Sequence, residues 1–447
     1  MTAATSGTAT SGTATSGTAT SGIRERNFRL LWTGQSISKT GSAVTTFALP
    51  LVAVRTLHAD TLMMGVLNAV IWLPWLIIGL QAGAWADRRS RRPLMLGCQL
   101  ASAILIVSVP VLAEFNALTM WYILAIAFAA GCSNVIFTAA YNAFAPSLVG
   151  KSEFMAANTR LMGSEQAANI AGPGIGGLIT ELSSAVFGLF IDAASFLVSA
   201  FCLWSIKTRE PAAHADGRPD QTTAAPRASF RADVGEGIRL VAGDPYLRVM
   251  TANSASTNLL MGGIQALVVV FLIRGDQLSP WAVSATTITI SVGGLLGAFA
   301  ASRVSRRLGS ARALITAPVT DCFLVLFPLA AQGGLLVLAL AGTLIWATGV
   351  VVRSVIMSSF RQAYCPADMR GRIAMTTRFI SFGVWPLGSL LGGVLGTVFD
   401  VRTALFILAV ANVLTDFWLF IGPMKRSKEL PEALGAGSLP NQRPTTN

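Results

Sequence analysis

Apolar runs alternate with short polar or charged clusters along nearly the whole chain. Each run has about the ~20 residues that carry a helix across a ~30 Å hydrocarbon layer. Twelve such runs are read between the clusters: 36–55, 61–84, 93–113, 118–141, 156–180, 185–206, 250–273, 281–302, 311–331, 334–357, 375–398 and 402–422. The expected fold is therefore an all-α membrane protein with twelve transmembrane helices. A polar stretch, 207–245, separates the sixth run from the seventh and reads as a linker, with a short amphipathic piece from Phe230 to Ala242. Residues 1–22 repeat the unit TATSG and read as a disordered low-complexity tail, and 425–447 as a second tail. Two six-helix halves remain, 23–206 and 246–424.

Composition agrees with the pattern and removes alternatives. Hydrophobic residues make up 53% of the chain and charged residues only 12%, well below the roughly 25% of soluble domains. Lys and Arg outnumber Asp and Glu by 33 to 21, a net charge of +12, but the basic residues lie between apolar runs and form no domain of their own. That distribution argues against nucleic-acid binding and for membrane orientation. Loops after odd-numbered runs contain only Arg55, Arg274 and Arg402, whereas those after even-numbered runs hold Arg88, Arg89, Arg91 and Arg92, or Arg303, Arg306, Arg307 and Arg312. Both termini and the linker are thus expected on the cytoplasmic side of the membrane. The five cysteines show no CxxC pair and the two histidines, His58 and His214, sit in loops, so neither a metal site nor a histidine-based catalytic site is expected.

The halves repeat. GLQAGAWADRRSRR from Gly79 aligns with GLLGAFAASRVSRR from Gly294 at an offset of 215 residues. APSLVGKSEF from Ala145 aligns with CPADMRGRIA from Cys365 at 220, and the pairs Gly176-Gly177 and Gly392-Gly393 differ by 216. Two repeated halves place a cavity between them near the bilayer midplane, which is a transporter architecture. No filter-like carbonyl loop or clustered catalytic set points to a channel or an enzyme.

GAWADRRSRRP, Gly83 to Pro93, resembles the loop between the second and third helices of the major facilitator superfamily. The resemblance runs from Arg26 to about Met424; the opening NFRLLWTGQSISKTGSAVTTFALPLV and RQAYCPADMRGRIAMTTRFISFGVWPLGSLLGG look like its drug-efflux branch, with macrolide and siderophore exporters. The resemblance implies a conformational latch at Asp87, Arg88, Arg91 and Arg92, with Asp87 set against the positive N-terminal end of the eleventh helix near Arg370 to Met375. GPGIGG, with Gly172, Pro173, Gly176 and Gly177, resembles the antiporter motif and implies close helix approach and a joint at the half interface. Two departures weaken proton coupling: Ser42 replaces the acid many members carry after the first-span glycine, and the fourth span lacks their arginine.

Ionisable residues at membrane depth are functional hypotheses by default, and Glu165, Asp192, Asp321 and Asp416 qualify. Glu165 leads, because Asn158, Met162, Glu165 and Asn169 share one helical face. Asp321, on a helix that the family places outside the bundle, is either an alternative coupling site or a structural hydrogen-bonding group, and the structural role is the preferred reading. Asp192 and Asp416 are expected near interfaces, and Arg353 and Arg378 at cytoplasmic helix ends where snorkelling is cheap, with attraction of an anionic substrate as the alternative for either arginine. Helical spacing also gathers Asn68, Trp72 and Trp75; Ser254, Asn258 and Gln265; and Asn134, Thr138 and Trp385 as cavity candidates. Aromatic faces with sparse hydrogen-bonding groups favour a small amphiphilic substrate. The expected function is export of hydrophobic or amphiphilic small molecules by alternating access, driven by the proton gradient with no cofactor. The alternatives are a dedicated siderophore or natural-product exporter and a non-transporting membrane sensor. The lipid bilayer is the expected surrounding, and a monomer the expected state.

Overall fold

The computed structural model describes residues 14–149, 154–207, 238–275, 280–330, 335–366, 369–421 and 429–431, which are helical almost throughout. Among the described residues, twelve long helical passages follow one another. In the first half they are α1 (Ala14–Arg55), α2 (Thr61–Ile77, continued by Gly79–Arg88), α3 (Arg91–Glu114), α4 (Met120–Leu148), α5 (Phe154–Leu182) and α6 (Ala185–Ser205). In the second they are α7 (Pro245–Val270, ending in a π-helical turn), α8 (Pro280–Leu308), a broken α9 (Ser310–Ile315, then Ala317–Asp321, Cys322–Val325 and Leu326–Ala330), α10 (Leu336–Tyr364), α11 (Arg370–Gly383 and Trp385–Val398) and α12 (Val401–Thr415 and Phe417–Ile421). Ten passages contain a helix long and apolar enough to cross a membrane; Thr61–Ile77 of α2 is shorter, and α5 carries a more polar face.

Two edges differ from expectation. Helix α1 begins at Ala14, inside the TATSG repeats, although their Gly, Ser and Thr are weak helix formers, as a continuation of the helix nucleated by the apolar span. Leu430 packs on the core of the second half and its N–H donates to Ser310 Oγ, so part of the expected C-terminal tail is docked. Of the linker, residues 208–237 lie outside the described ones, and 238–243 are helical.

Prolines account for the breaks. Trp385 precedes Pro386, which disfavours helical backbone there and divides α11 at Val384. Pro318 and Pro328 interrupt α9 in the same way, each removing a backbone donor. Side chains of Asp60, Thr119, Ser184 and Asp400 cap α2, α4, α6 and α12 at the end opposite the chain termini. Asp400 lies in a loop, and hydrogen bonds from the hydroxyl and N–H of Thr403 hold its carboxyl below the usual range.

At the terminal end, Asp244 caps α7 through Tyr246 and Leu247 and accepts 2.8 Å from Tyr364 Oη of α10. Asp244→Ala removes the cap and leaves the buried phenol unsatisfied, a loss of about 2 kcal/mol. Thermal unfolding in detergent should show this loss for Asp244→Ala and little change for Asp244→Asn, which keeps a capping oxygen.

The repeat is visible in the packing. Within the halves α1 lies on α5 and α6 as α7 lies on α11 and α12, and α2 on α4 as α8 on α10. Between them α2 lies on α11 as α5 on α8. The apolar clusters differ at the two ends of the bundle. At the far end they cross the halves: Phe47 and Leu51 pack with Ile264, Leu267 and Phe271, and Val52 and Leu67 share a cluster with Val270. At the terminal end each cluster stays within one half, Leu31, Met95, Phe137 and Phe144 in the first and Met250, Ile356, Phe360 and Ile373 in the second. The bundle is sealed at the far end and divided at the terminal end.

Candidate functional site

Two cavities lie in the divided part, one in each half. The smaller, about 250 Å³, is walled by α1, α4 and α5 and lined by Gln35, Lys39, Thr138, Tyr141 and Glu165. The larger, about 650 Å³, is walled by α7, α10 and α11 and includes Ser254, Asn258, Arg353, Arg361, Arg378 and Ser381. The lining residues correspond at an offset of 217: Phe137 with Ser354, Tyr141 with Ser358, Leu161 with Arg378, and Glu165 with Phe382. The fold thus repeats the cavity while its chemistry differs between the halves.

Glu165 stands in the smaller cavity, where its Oε1 accepts 2.9 Å from Lys39 Nζ. The pair is partly open, with side-chain exposures of 41% and 43%. Lys39 was not among the sequence candidates, since it falls close to the expected start of the first span. Its signal was a lone lysine inside a run whose other charge, Arg55, stands at its far end. Thr138 shares this cavity; Asn169 lies one turn beyond Glu165, exposed, and its backbone carbonyl accepts from Ser291 of α8. The side chain of Asn158 lies outside the described residues.

The second half holds a buried charge cluster. Arg353 donates from Nη1 and Nη2 to Asp321 Oδ2 at 3.1 and 3.2 Å, and from Nη1 to Asp416 Oδ1 at 2.7 Å. Asn412 adds a bond to Asp321, and Asn253 one to Asp416. Both aspartates are fully buried and Arg353 is 6% exposed. These positions correct the expectations for Asp416, Arg353 and Asp192, and give Asp321 the buried, hydrogen-bonded surroundings of a structural group. Asp321 and Asp416 face inward despite their peripheral helices, and Arg353 turns into the protein instead of snorkelling, because the two carboxylates compensate its charge. Asp192 is also buried, accepting from Thr45 Oγ1 and Ser195 Oγ near Gly41 of α1. An acid from α6 therefore lies beside the point where the expected acid of α1 is missing.

Several cavity candidates form a contact between the halves. Asn68 Oδ1 accepts from Trp385 Nε1 at 3.1 Å and from Ser389 Oγ at 3.0 Å. Trp72 lies 4.9 Å from the Trp385 ring and stacks on Phe382 at 6.1 Å. Phe382 also belongs to the wall of the larger cavity, so this aromatic group marks where cavity gives way to seal. Trp75, Asn134 and Gln265 are exposed and line neither of the two cavities. Helical spacing gave them the right face in projection, but not the depth of the opening.

The sequence motifs take up definite places. Arg91 donates to the carbonyl of Ala143, and Arg92 to those of Leu203 and Trp204, so both tie helix C-termini within the first half. The side chains of Asp87 and Arg88 lie outside the described residues. Gly172 and Gly176 bring α5 onto α1, where an added Cβ would collide with Ala43 or meet Phe47 at 3.2 Å. This approach lies within one half. Across the boundary it is Gly174 that faces Ile288 of α8, while α5 passes through the buried Pro173 and Gly177 as one continuous helix.

A family model described as transmembrane secretion effector (MFS_3) matches residues 17–434. The multidrug efflux pump Tap of Mycolicibacterium fortuitum is 25% identical over 403 residues, covering 87% of this chain and 94% of Tap. Among solved structures, the nucleoside transporter NupG superposes with a TM-score of 0.71 at 13% identity, over 90% of this chain and 99% of NupG. A bacterial homologue of the iron transporter ferroportin, in its inward-facing state, gives 0.67 at 17% identity, over 89% and 98% of the two chains. With the repeated halves, the cavities and the seal, these likenesses establish a multi-pass membrane protein of the transmembrane secretion effector family, within the major facilitator superfamily of transporters.

Proposed function

We propose that the protein exports hydrophobic or amphiphilic small molecules from the cytoplasm across a bacterial inner membrane by alternating access, with proton antiport. The observation that carries this reading is the seal at one end joined to two symmetry-related cavities at the other. With the arginine-rich loops and both termini on the cytoplasmic side, this is the state that loads substrate from within. The name of Tap, a multidrug efflux pump, supports the direction. Both halves lie on one chain, so a monomer suffices.

In this reading the halves rock about the α2–α11 and α5–α8 contacts, and Asp87 with its neighbouring arginines braces the opposite, outward-open state. Glu165 is the first coupling group. Protonation removes its charge, frees Lys39 and changes the polarity of the smaller cavity as substrate leaves. Asp321 is the second: with Asp416 it sets two carboxylates against one guanidinium, and a proton on either carboxyl supplies the missing positive charge.

The test is efflux of a preloaded lipophilic cationic dye and of a macrolide, with and without an uncoupler. Efflux should stop when the gradient is collapsed, and Glu165→Gln should reduce it about tenfold, within the ordinary range of coupling energies. Efflux that persists with the uncoupler rules out proton antiport. Wild-type, still pH-dependent efflux by Glu165→Gln removes Glu165 from the coupling path.

A further inference from the structure

Among the described residues, the larger cavity carries more positive charge than its surroundings balance. Arg353 is held by Asp321 and Asp416, but Arg361 of α10 and Arg378 of α11 line the same space, and no aspartate or glutamate does. Neither arginine has a carboxylate partner among the described residues. Arg378 lies over the Phe382 ring, 6.0 Å from its centre, which sets the guanidinium against the cavity wall. At the repeat offset of 217, the positions of Arg361 and Arg378 are taken in the first half by Phe144 and Leu161. A mere orientation signal would have no reason to sit in one cavity wall only.

A second observation points to a ligand. Thr377 and Ser381, one turn apart on α11, line this cavity at 4% and 5% exposure, and the hydroxyl oxygen of each has no hydrogen-bond partner. Other hydroxyls in the bundle, those of Thr180, Thr343 and Thr348, return a bond to the carbonyl four residues earlier. The helix backbone leaves these two unpaired, beside two cations with no carboxylate partner among the described residues.

We propose that this wall is an anion subsite that takes the oxyanion head, carboxylate or sulfonate, of an amphiphilic substrate. Arg361 and Arg378 supply the charge and Thr377 and Ser381 the hydrogen bonds, while the apolar body lies against Met357 and Phe382. The proposal rests on the export reading for its role, since it names the substrate class of the same cavity. An exported solute and an anionic lipid both carry this chemistry.

The experiment measures calorimetric binding of cholate and of its uncharged methyl ester to the full chain in phosphatidylcholine nanodiscs, with empty discs subtracted. Wild type should bind cholate about tenfold more tightly than the ester, the factor that one charge-assisted hydrogen bond can carry. Arg361→Gln and Arg378→Gln should each erase most of that preference while keeping ester binding, which also shows that they are folded. The Thr377→Val/Ser381→Ala protein, which removes only the unpaired hydroxyls, should weaken cholate binding more than ester binding, because a hydrogen bond to a charged carboxylate is stronger than one to an ester carbonyl. Equal binding of cholate and ester by wild type, or a preference surviving in the Arg361→Gln/Arg378→Gln double variant, overturns the proposal. Loss of cholate binding in phosphatidylglycerol discs supports the subsite and assigns its occupant to the bilayer; undiminished binding supports it and assigns a solute. Failed efflux with the preference intact would remove the export reading alone, whereas equal binding with active efflux would remove the subsite alone.

Discussion

Replacing Arg353 with methionine is expected to cost about 3–5 kcal/mol, the range for removing one partner of a buried ion pair. Arg353 lies between Asp321 and Asp416, all three essentially closed to solvent, so the variant would leave two facing carboxylates without a cation. The strain would concentrate where α9, α10 and α12 meet, and both α9 and α12 are already broken close to their aspartates. The measurement is the monodisperse fraction and melting temperature of detergent-extracted protein. Arg353→Met should lose most of its folded fraction, and Arg353→Lys should fall between, because an ammonium cannot reproduce the fork. Adding Asp321→Asn and Asp416→Asn to Arg353→Met should restore much of the loss by removing the stranded charges. An Arg353→Met protein as stable as wild type would show that the cluster does not hold these helices together.

A wedge at the sealed end should give the second large effect, this time on transport. Helices α2 and α11 touch through backbone: a Cβ on Gly65 would lie 2.6 Å from the carbonyl oxygen of Ser389 and 2.9 Å from Gly393 Cα. Backbone cannot rotate away as a side chain can, so Gly65→Leu or Gly393→Leu must push the halves apart. Overpacking of this kind costs about 1–3 kcal/mol. Applied to the sealed state alone, that shifts the balance between sealed and open forms by about five- to 150-fold. Efflux should fall by a factor in that range while the protein stays folded. A cysteine at Asn68, beneath the seal, should become reactive towards an impermeant maleimide added from outside. Wild-type efflux by Gly393→Leu would mean that this contact does not close during the cycle.

These two sites show what a linear pattern carries. Apolar runs, loop arginines and the 215–220 residue offsets made the helical passages and the two halves legible, and the cavity linings repeat at a similar offset. Glu165 was found from its face, because a polar stripe at three- and four-residue spacing survives projection onto one helix. Its partner Lys39 was missed, since pairing joins residues 126 apart that no local spacing relates. Arg353 was misplaced for a related reason: its distance from a helix end is readable along the chain, but its direction around the helix is not. The unpaired hydroxyls of Thr377 and Ser381 had no sequence signal, because most helical threonines and serines bond their own backbone.

By itself the sequence determined class, helix order, the repeat and the uneven distribution of charge between loops, since these follow from composition and local period. Tertiary structure alone decided which end is sealed, which polar residues meet across helices and which stay unpaired. The physical reason is that a helix in a bilayer satisfies its own backbone and crosses on hydrophobicity alone, while helix–helix contacts depend on steric fit and on the rotation of each helix about its axis. Gly65 and Gly393 illustrate this: two glycines 328 residues apart that only the packed bundle brings to van der Waals contact.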